Sequence, residues 1–221
     1  EEEEEEDTED GERGAPRLLY VYETVVTGFA AELSHSHARS LPHLYGFLWA
    51  SPDELLRLHT TNSPRFLGLV PGEGLWKPST PASDVVVGVV DTGVWPEHPS
   101  FRDNHFSSLP VNWRGSCDAG KGFSQANCNR KLVGARYFYK GYQATAGRIN
   151  ETDEYLSPRD SNGHGTHTAS IAAGRHVYPA STLGYARGVA SGMAPKARLA
   201  AYKVCWAAGC FDSDILAAFD S

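Results

Sequence analysis

The first regular pattern in the chain is an alternation of apolar and polar positions that begins at Leu18. Apolar residues at every second position predict a strand with one buried face. Residues 18–60 are expected to form a small α+β unit with the order strand, strand, helix, strand, strand. The five segments are "LLYVYETVV", "GFAAELS", "HSHARSLPHL", "YGFLWAS" and "ELLRLHT". Because so short a unit buries little surface, it is expected to pack against the surface of a partner for its stability.

A second region with a different pattern follows a stretch without periodicity. Residues 61–83 are rich in Pro, Gly, Ser and Thr, which predicts a linker. The valines of "DVVVGVVDTGV" are apolar on both faces, which suits a central strand of a parallel sheet covered by helices. Residues 84–221 therefore predict an α/β domain. Its further strands and helices are expected at "KLVGARYF", "ARLAAYKVCW", "HTASIAAG" and "DSDILAAFD".

Composition and charge restrict the classes of protein to which this chain can belong. Of the 221 residues, 41% are hydrophobic, which is enough for a core. Part of the formal net charge of -7 comes from the acidic start, and the like charges of residues 1–17 predict a disordered tail. The remainder is near neutral, so no nucleic-acid partner is expected. No apolar stretch is long enough for a membrane span, and the acidic start is unlike a signal peptide.

The four cysteines fall into two close pairs, Cys117 with Cys128 and Cys205 with Cys210. Neither pair has the C-x-x-C spacing of zinc and redox sites. Local disulfides in an oxidising compartment explain the pairs best, and four buried thiols of a cytosolic protein are the alternative. Asn150 opens an Asn-Glu-Thr glycosylation sequon, which also favours an exported protein.

Two residues are candidates for chemistry. Asp91 directly follows the valine run, at the carboxyl end of the predicted strand, where open α/β sheets build their sites. The alternative is a turn or N-cap aspartate. His164 lies between two glycines, which allow a close backbone approach, at the predicted start of a helix. His167 lies one helical turn further and could share a metal with it, but no H-E-x-x-H motif is present and a structural role is favoured.

An aspartate that ends a strand and a histidine that opens a later helix have the order of two members of a nucleophilic triad. In such a triad the imidazole takes a proton from a serine, and a buried carboxylate holds the imidazole in the correct tautomer. The chain order Asp, His, Ser is the known order of the subtilisins.

The residues around both candidates resemble the catalytic motifs of the subtilisin-like serine proteases of family S8. The segment "VVVGVVDTGVWPEHPSF" resembles the motif of the catalytic aspartate, and "SPRDSNGHGTHTASIAAG" resembles that of the catalytic histidine. Two further segments, "NCNRKLVGARYF" and "RLAAYKVCWAAGCFDSDILAAFD", are similar to plant subtilases in particular. The resemblance extends from Leu18 to the end of the chain.

The resemblance implies part of a subtilisin-like parallel-sheet catalytic domain, in which Asp91 is the triad acid and His164 the general base. Residues 18–60 are then a ferredoxin-like inhibitory prodomain of the I9 type, cut off between Thr60 and Thr61. The implied partners are protein or peptide substrates and the chain's own prodomain as intramolecular inhibitor. No cofactor and no metal are implied. The parent protein is expected to be extracellular, in the apoplast or cell wall.

The family's serine, in a Gly-Thr-Ser-x-Ala-Pro motif, has no counterpart among the 221 residues, and Ser221 stands in no such context. Since the chain also lacks an initiating Met, we expect a fragment of a serine endopeptidase that is inactive by itself. Two other functions stay open. One is a non-catalytic protease inhibitor built on the prodomain, and the more remote one is a metal-binding protein that uses His164 and His167.

Overall fold

The computed structural model describes residues 15–56, 85–109 and 111–221 of the chain. Most of the expected acidic tail lies outside these ranges. The linker predicted over residues 61–83 and the cleavage positions Thr60 and Thr61 also lie outside the described residues.

An antiparallel hairpin opens the described part of the chain. Strand β1 (Arg17–Tyr22) pairs with β2 (Gly28–Glu32), and helix α1 (His35–Ser40) follows. Ser34 precedes α1, and its hydroxyl accepts a hydrogen bond from the backbone N–H of His37, as a helix N-cap does. The first three elements therefore follow the predicted order of strand, strand and helix.

The two strands predicted after this helix differ from the structure. Residues 45–51 form no strand, and within the described residues the last prediction is reduced to β3 (Leu55–Leu56). β3 pairs with β10 (Gly209–Phe211) of the second region instead of joining the hairpin. Leu48 and Trp49 are 88% and 74% exposed. Their apolar character alone forms no strand, because a strand needs a neighbour for its N–H and C=O groups.

Three parallel strands form the centre of the second region, as the α/β pattern predicts. Their order is β4 (Val86–Asp91), β8 (Arg198–Lys203) and β5 (Leu132–Tyr137). Strand β8 lies in the middle and is buried almost throughout, whereas the valines of β4 are half-buried. Within the described ranges the valine strand is thus an edge strand. The prediction of a central, doubly covered strand fits β8 instead, whose small alanines allow both neighbours to pack closely.

Helices and short strands complete this region. Helix α3 (His164–Ala173) packs against β4 and β8 through the apolar cluster that includes Ala169, Ala173, Leu199 and Ala201. No helix of the described residues is both long and apolar enough to cross a bilayer. The remaining elements are α2 (Lys140–Ala146), α3 (His164–Ala173), the hairpin β6 (Val177–Thr182) with β7 (Tyr185–Ala190), β9 (Cys205–Trp206) and α4 (Asp212–Asp220).

Both predicted cysteine pairs are disulfides. Cys117 is bonded to Cys128, and Cys205 to Cys210, so no cysteine of the chain is free. The second bond joins the paired strands β9 and β10. The four cysteines are therefore cross-links of the α/β region rather than separate thiols.

A buried lysine lies where β5 begins. Lys131 is fully buried, and its Nζ donates to the carbonyl oxygens of Pro195, at 3.1 Å, and of Ala197. Burial, together with two nearby arginines, lowers the pKa of Lys131 from 10.5 to about 8. The folded chain therefore releases this proton at a lower pH than the unfolded chain does.

The free energy of unfolding is expected to rise by about 1 to 2 kcal/mol between pH 8 and 9.5, because the unfolded state then binds more protons than the folded state. Lys131→Met should remove this slope, and Lys196→Met, at an exposed neighbouring position, should keep it. Urea unfolding at several pH values measures the effect. An equal slope in Lys131→Met and the wild type would contradict the assignment.

Candidate active site

Asp91 is the last residue of β4 and is 7% exposed. The chain leaves the sheet directly after it, through Thr92 and Gly93. Gly93 has φ +110°, and a Cβ on it would lie 2.4 Å from the carbonyl oxygen of Pro158. Only glycine fits this turn without strain. The turn therefore keeps the Asp91 carboxylate at the carboxyl end of the sheet and brings the segment that precedes α3 against it.

A short parallel bridge ties these two segments together. Val94, just after the turn, donates its N–H to the carbonyl of Pro158 at 3.0 Å and accepts one from Asp160 N at 3.1 Å. These bonds hold the residues that precede α3 alongside the residues that follow β4. The residues that follow on each segment are consequently neighbours in space.

His164 is the first residue of α3, and the glycines beside it have different roles. Gly163 precedes the helix with φ +98° and so provides the left-handed turn that starts it. A Cβ on Gly165 would lie 2.2 Å from the backbone oxygen of Gly93. Gly165 therefore allows the helix to touch the turn after Asp91, backbone against backbone. The close approach expected of both glycines is provided by Gly165 alone.

The structure brings the two candidate residues together. The Nδ1 atom of His164 lies 2.8 Å from Oδ1 and 2.9 Å from Oδ2 of Asp91. Because an ionised carboxylate only accepts hydrogen bonds, Nδ1 carries a proton, and in the neutral imidazole Nε2 then holds the lone pair. Nε2 has no hydrogen-bond partner among the described residues. The imidazole is thus oriented with one nitrogen bound to the carboxylate and the other, a buried atom, without a hydrogen-bond partner among the described residues.

Two further donors complete the surroundings of the Asp91 carboxylate. The backbone N–H of Thr92 donates to Oδ1 at 2.7 Å, and the hydroxyl of Thr168 donates to Oδ2 at 3.0 Å. Thr168 lies four residues after His164 and hence on the same face of α3. Sequence reasoning missed this residue, although the spacing from a candidate histidine at a helix start was the available signal.

Asp160 is a second buried carboxylate beside the pair, and sequence reasoning also missed it. It is 3% exposed and accepts hydrogen bonds from the backbone N–H groups of Asn162, Gly163 and Thr166, at 3.1, 2.8 and 2.9 Å. Burial alone would raise the pKa of Asp160, but hydrogen bonds from the Thr166 hydroxyl, the N–H groups of Gly163 and Thr166, and the Thr92 hydroxyl lower it below the ordinary 3.8. Its place four residues before His164, at the entry to a helix, was the signal that could have identified it.

A buried ion pair fixes the segment before α3. Lys203, at the end of β8, is fully buried and donates to Glu154 at 3.1 Å and to the carbonyl of Arg159 at 2.9 Å. Burial lowers the pKa of Lys203, and the charge of Glu154 opposes this shift. The central strand thereby holds the segment that leads to His164.

The other predicted residues lie apart from this pair. His167 is exposed, and the described residues contain no group of three or more His, Cys, Asp or Glu side chains that could hold a metal ion. Asn150 is exposed, and its side-chain nitrogen donates to Asp153 at 2.7 Å. The four cysteines form the two disulfides of the α/β region.

Known proteins match the chain over most of its length. The sequence model of the subtilase family matches residues 82–221. Subtilisin-like protease SBT1.5 of Arabidopsis thaliana is 58% identical over 211 residues, which are 93% of this chain and 27% of the relative. Subtilisin-like protease SBT1.6 of the same plant is 56% identical over 207 residues, with the same two shares. Subtilisin-like protease SBT3 of Solanum lycopersicum is 46% identical over 206 residues, again 93% and 27%. The chain spans about a quarter of the length of these curated relatives.

The contact between the two side chains is expected to give a distinct NMR signal. A proton on His164 Nδ1 that is bonded to a carboxylate, in a side chain only 15% exposed, should exchange slowly and resonate far downfield. In the ¹⁵N-histidine-labelled chain, Asp91→Asn should abolish this resonance, because an amide is a much weaker acceptor. The matched control is Asp118→Asn, in a more exposed ion pair with Arg136, which should retain it. A downfield signal that survives Asp91→Asn would refute the contact.

Proposed function

The chain belongs to the subtilase family, and we propose that Asp91 and His164 are the acid and the base in the Asp-His-Ser triad of a serine endopeptidase. One observation carries this proposal. The imidazole of His164 is held by both oxygens of a buried aspartate, while its Nε2 has no partner among the described residues. The remote alternative of a metal site has no comparable support, because His167 is exposed and apart from this contact.

In the proposed mechanism both proton transfers run through Nε2 of His164, while Nδ1 keeps its hydrogen bond to Asp91. Nε2 of His164 takes the proton of a serine hydroxyl as that oxygen attacks the peptide carbonyl. Asp91 stabilises the imidazolium that forms, and Nε2 then gives the proton to the leaving amine. The resulting acyl-enzyme is hydrolysed in a second step, in which His164 activates water. Thr92 N and Thr168 keep Asp91 oriented throughout.

The substrates proposed are proteins or peptides, and no cofactor enters the mechanism. The nucleophile and the oxyanion donor come from other parts of the enzyme, since the 221 residues contain no Gly-Thr-Ser-x-Ala-Pro segment. A polypeptide of these residues alone should therefore be inactive.

Residues 18–60 are proposed to be the inhibitory prodomain of this enzyme, cut off between Thr60 and Thr61, with the catalytic domain over 84–221. Contacts between the N-terminal hairpin and α4 support a role of this segment in assisting the folding of the catalytic domain. The hydroxyl of Tyr20 donates to the fully buried Asp214 of α4, and that of Tyr22 donates to the carbonyl of Ser213 at 3.1 Å.

Two aspartates accept further hydrogen bonds from backbone N–H groups between the N-terminal part and α4. Asp220, at the end of α4, accepts from the backbone N–H groups of residues 23–25 at 3.1, 2.6 and 3.1 Å. Asp53 accepts from the N–H of Ser213 at 3.0 Å. These contacts also favour the second candidate function, a prodomain-type inhibitor that binds a protease without catalysis.

Export of the protein is proposed on two observations. Both cysteine pairs are disulfides, which persist in oxidising compartments, and the Asn150 sequon is exposed. We propose that Asn150 carries a glycan and that the enzyme acts outside the cell, in the apoplast or cell wall.

Peptidase assays can separate the two candidate functions. The 221-residue polypeptide should hydrolyse peptides at the background rate, and a longer chain that includes a Gly-Thr-Ser segment should be inhibited by a serine-directed reagent. In that longer chain His164→Ala should lower kcat steeply, since loss of the base costs subtilisin itself about 10⁶-fold. His167→Ala is the matched control and should retain activity. Turnover by the 221-residue chain that a serine reagent abolishes would contradict the proposal.

The hairpin contacts predict that the N-terminal part stays bound after the chain is cut. With a specific protease site inserted in residues 61–83, the two pieces should co-elute on a sizing column. Tyr20→Phe should weaken their association about 10- to 100-fold, because it removes a hydrogen bond to a buried carboxyl group. Glu32→Gln, in an exposed ion pair inside the hairpin, is the control and should have little effect. Separation of the wild-type pieces at micromolar concentration would rule out this attachment.

A further inference from the structure

The hydroxyl of Thr92 links the two segments that carry Asp91 and His164. It accepts a hydrogen bond from the backbone N–H of Gly165 at 2.7 Å and donates one to Oδ1 of Asp160 at 2.9 Å. Thr92 directly follows Asp91 along the chain, and Gly165 directly follows His164. One hydroxyl therefore joins the immediate neighbours of the proposed acid and base.

Asp160 holds His164 from the other side. Its carboxylate accepts the N–H of Gly163, which directly precedes His164, and both the N–H and the hydroxyl of Thr166, at 2.9 and 2.5 Å. No lysine or arginine in the described part of the chain forms an ion pair with Asp160. Its charge is balanced by N–H and O–H donors, and these donors come from the start of α3 and from Thr92.

We propose that Thr92 and Asp160 are positioning residues of the proposed protease, which together set the distance between Asp91 and His164. This inference rests on the proposed function, because it concerns the same pair. Asp91 and His164 lie on different elements, and a misplacement of about 1 Å can cost a reaction about 10²-fold. Besides the contact of Thr168 with Asp91, the Thr92–Asp160 contact is a second side-chain link next to the pair, between the turn after β4 and the segment that enters α3.

The chemistry of this position requires a hydroxyl. A hydroxyl donates one hydrogen bond and accepts another at the same time, and an aliphatic side chain does neither. Thr92 and Asp160 are each 3% exposed, so water has little access to replace a lost partner. Valine at position 92 would keep the shape of threonine but would deprive the Gly165 N–H of its acceptor and Asp160 of one donor. Serine would keep both bonds.

The first test uses the 221-residue chain and the Nδ1 resonance of His164. Thr92→Val should abolish or broaden this resonance and speed exchange of the Gly165 amide about tenfold or more, whereas Thr92→Ser should keep both near wild type. Thr182→Val, at an exposed position of β6, is the matched control and should change neither. Circular dichroism and urea unfolding verify that each variant is folded.

Asp160→Asn provides an independent variant if Thr92→Val does not fold, since the amide cannot accept at both oxygen positions and the same loss is expected. A folded Thr92→Val or Asp160→Asn chain with a wild-type resonance and wild-type Gly165 exchange would overturn the inference. Loss of the resonance in Asp91→Asn but not in these variants would leave the Asp91–His164 assignment intact. Its survival in Asp91→Asn would instead count against the proposed function.

The second test measures kinetics in a longer chain that has peptidase activity. Thr92→Val should lower kcat about 10²-fold with little change in KM, because the misplaced base affects the reaction and not substrate binding. Thr92→Ser should recover most of this loss. A purely structural role would instead lower the active fraction without a separate effect on kcat per folded molecule, and that result would also overturn the inference.

Discussion

The site depends on one buried hydrogen bond, from the imidazole of His164 to the carboxylate of Asp91. A carboxylate taken out of water is costly unless hydrogen bonds replace its solvation. Here the replacing donors are Nδ1 of His164, the N–H of Thr92 and the hydroxyl of Thr168. All of them lie on the turn after β4 or on α3. Any movement between these two elements would leave the charge unsatisfied, so the bond also fixes the helix against the sheet.

This requirement explains the unusual composition of α3. The residues that face the sheet are Gly165, Ala169 and Ala173, at intervals of four, and each is buried. A larger side chain at any of them would push the helix away and move His164 with it. Small residues bury little apolar area, so the helix adds less to stability than a leucine-rich one would. The close packing that these small residues allow fixes the position of His164, the first residue of the helix.

The sequence predicts the features that depend on local pattern and misses those that depend on packing. The Asp91 and His164 motifs and the cysteine pairs follow from adjacent residues. By contrast, the roles of Asp160 and Thr168 depend on groups of other segments, and their spacing from His164 marks their positions without showing which groups they bind. The edge position of β4 among the described strands also depends on which strand pairs with it. That pairing joins residues more than one hundred positions apart.

The attachment of the N-terminal part follows a different principle from the α/β core. Its hairpin leaves Leu18 and Val21 58% and 56% exposed and binds α4 through Tyr20, Tyr22 and the backbone N–H groups of residues 23–25. Burial raises the pKa of Asp214, and the hydroxyl of Tyr20 opposes this shift by donating to the carboxylate. Contacts of this polar kind resemble those between separable domains rather than those within a core. The proposed release of residues 18–60 after cleavage would require such an interface, because an apolar one would hold the segment in place.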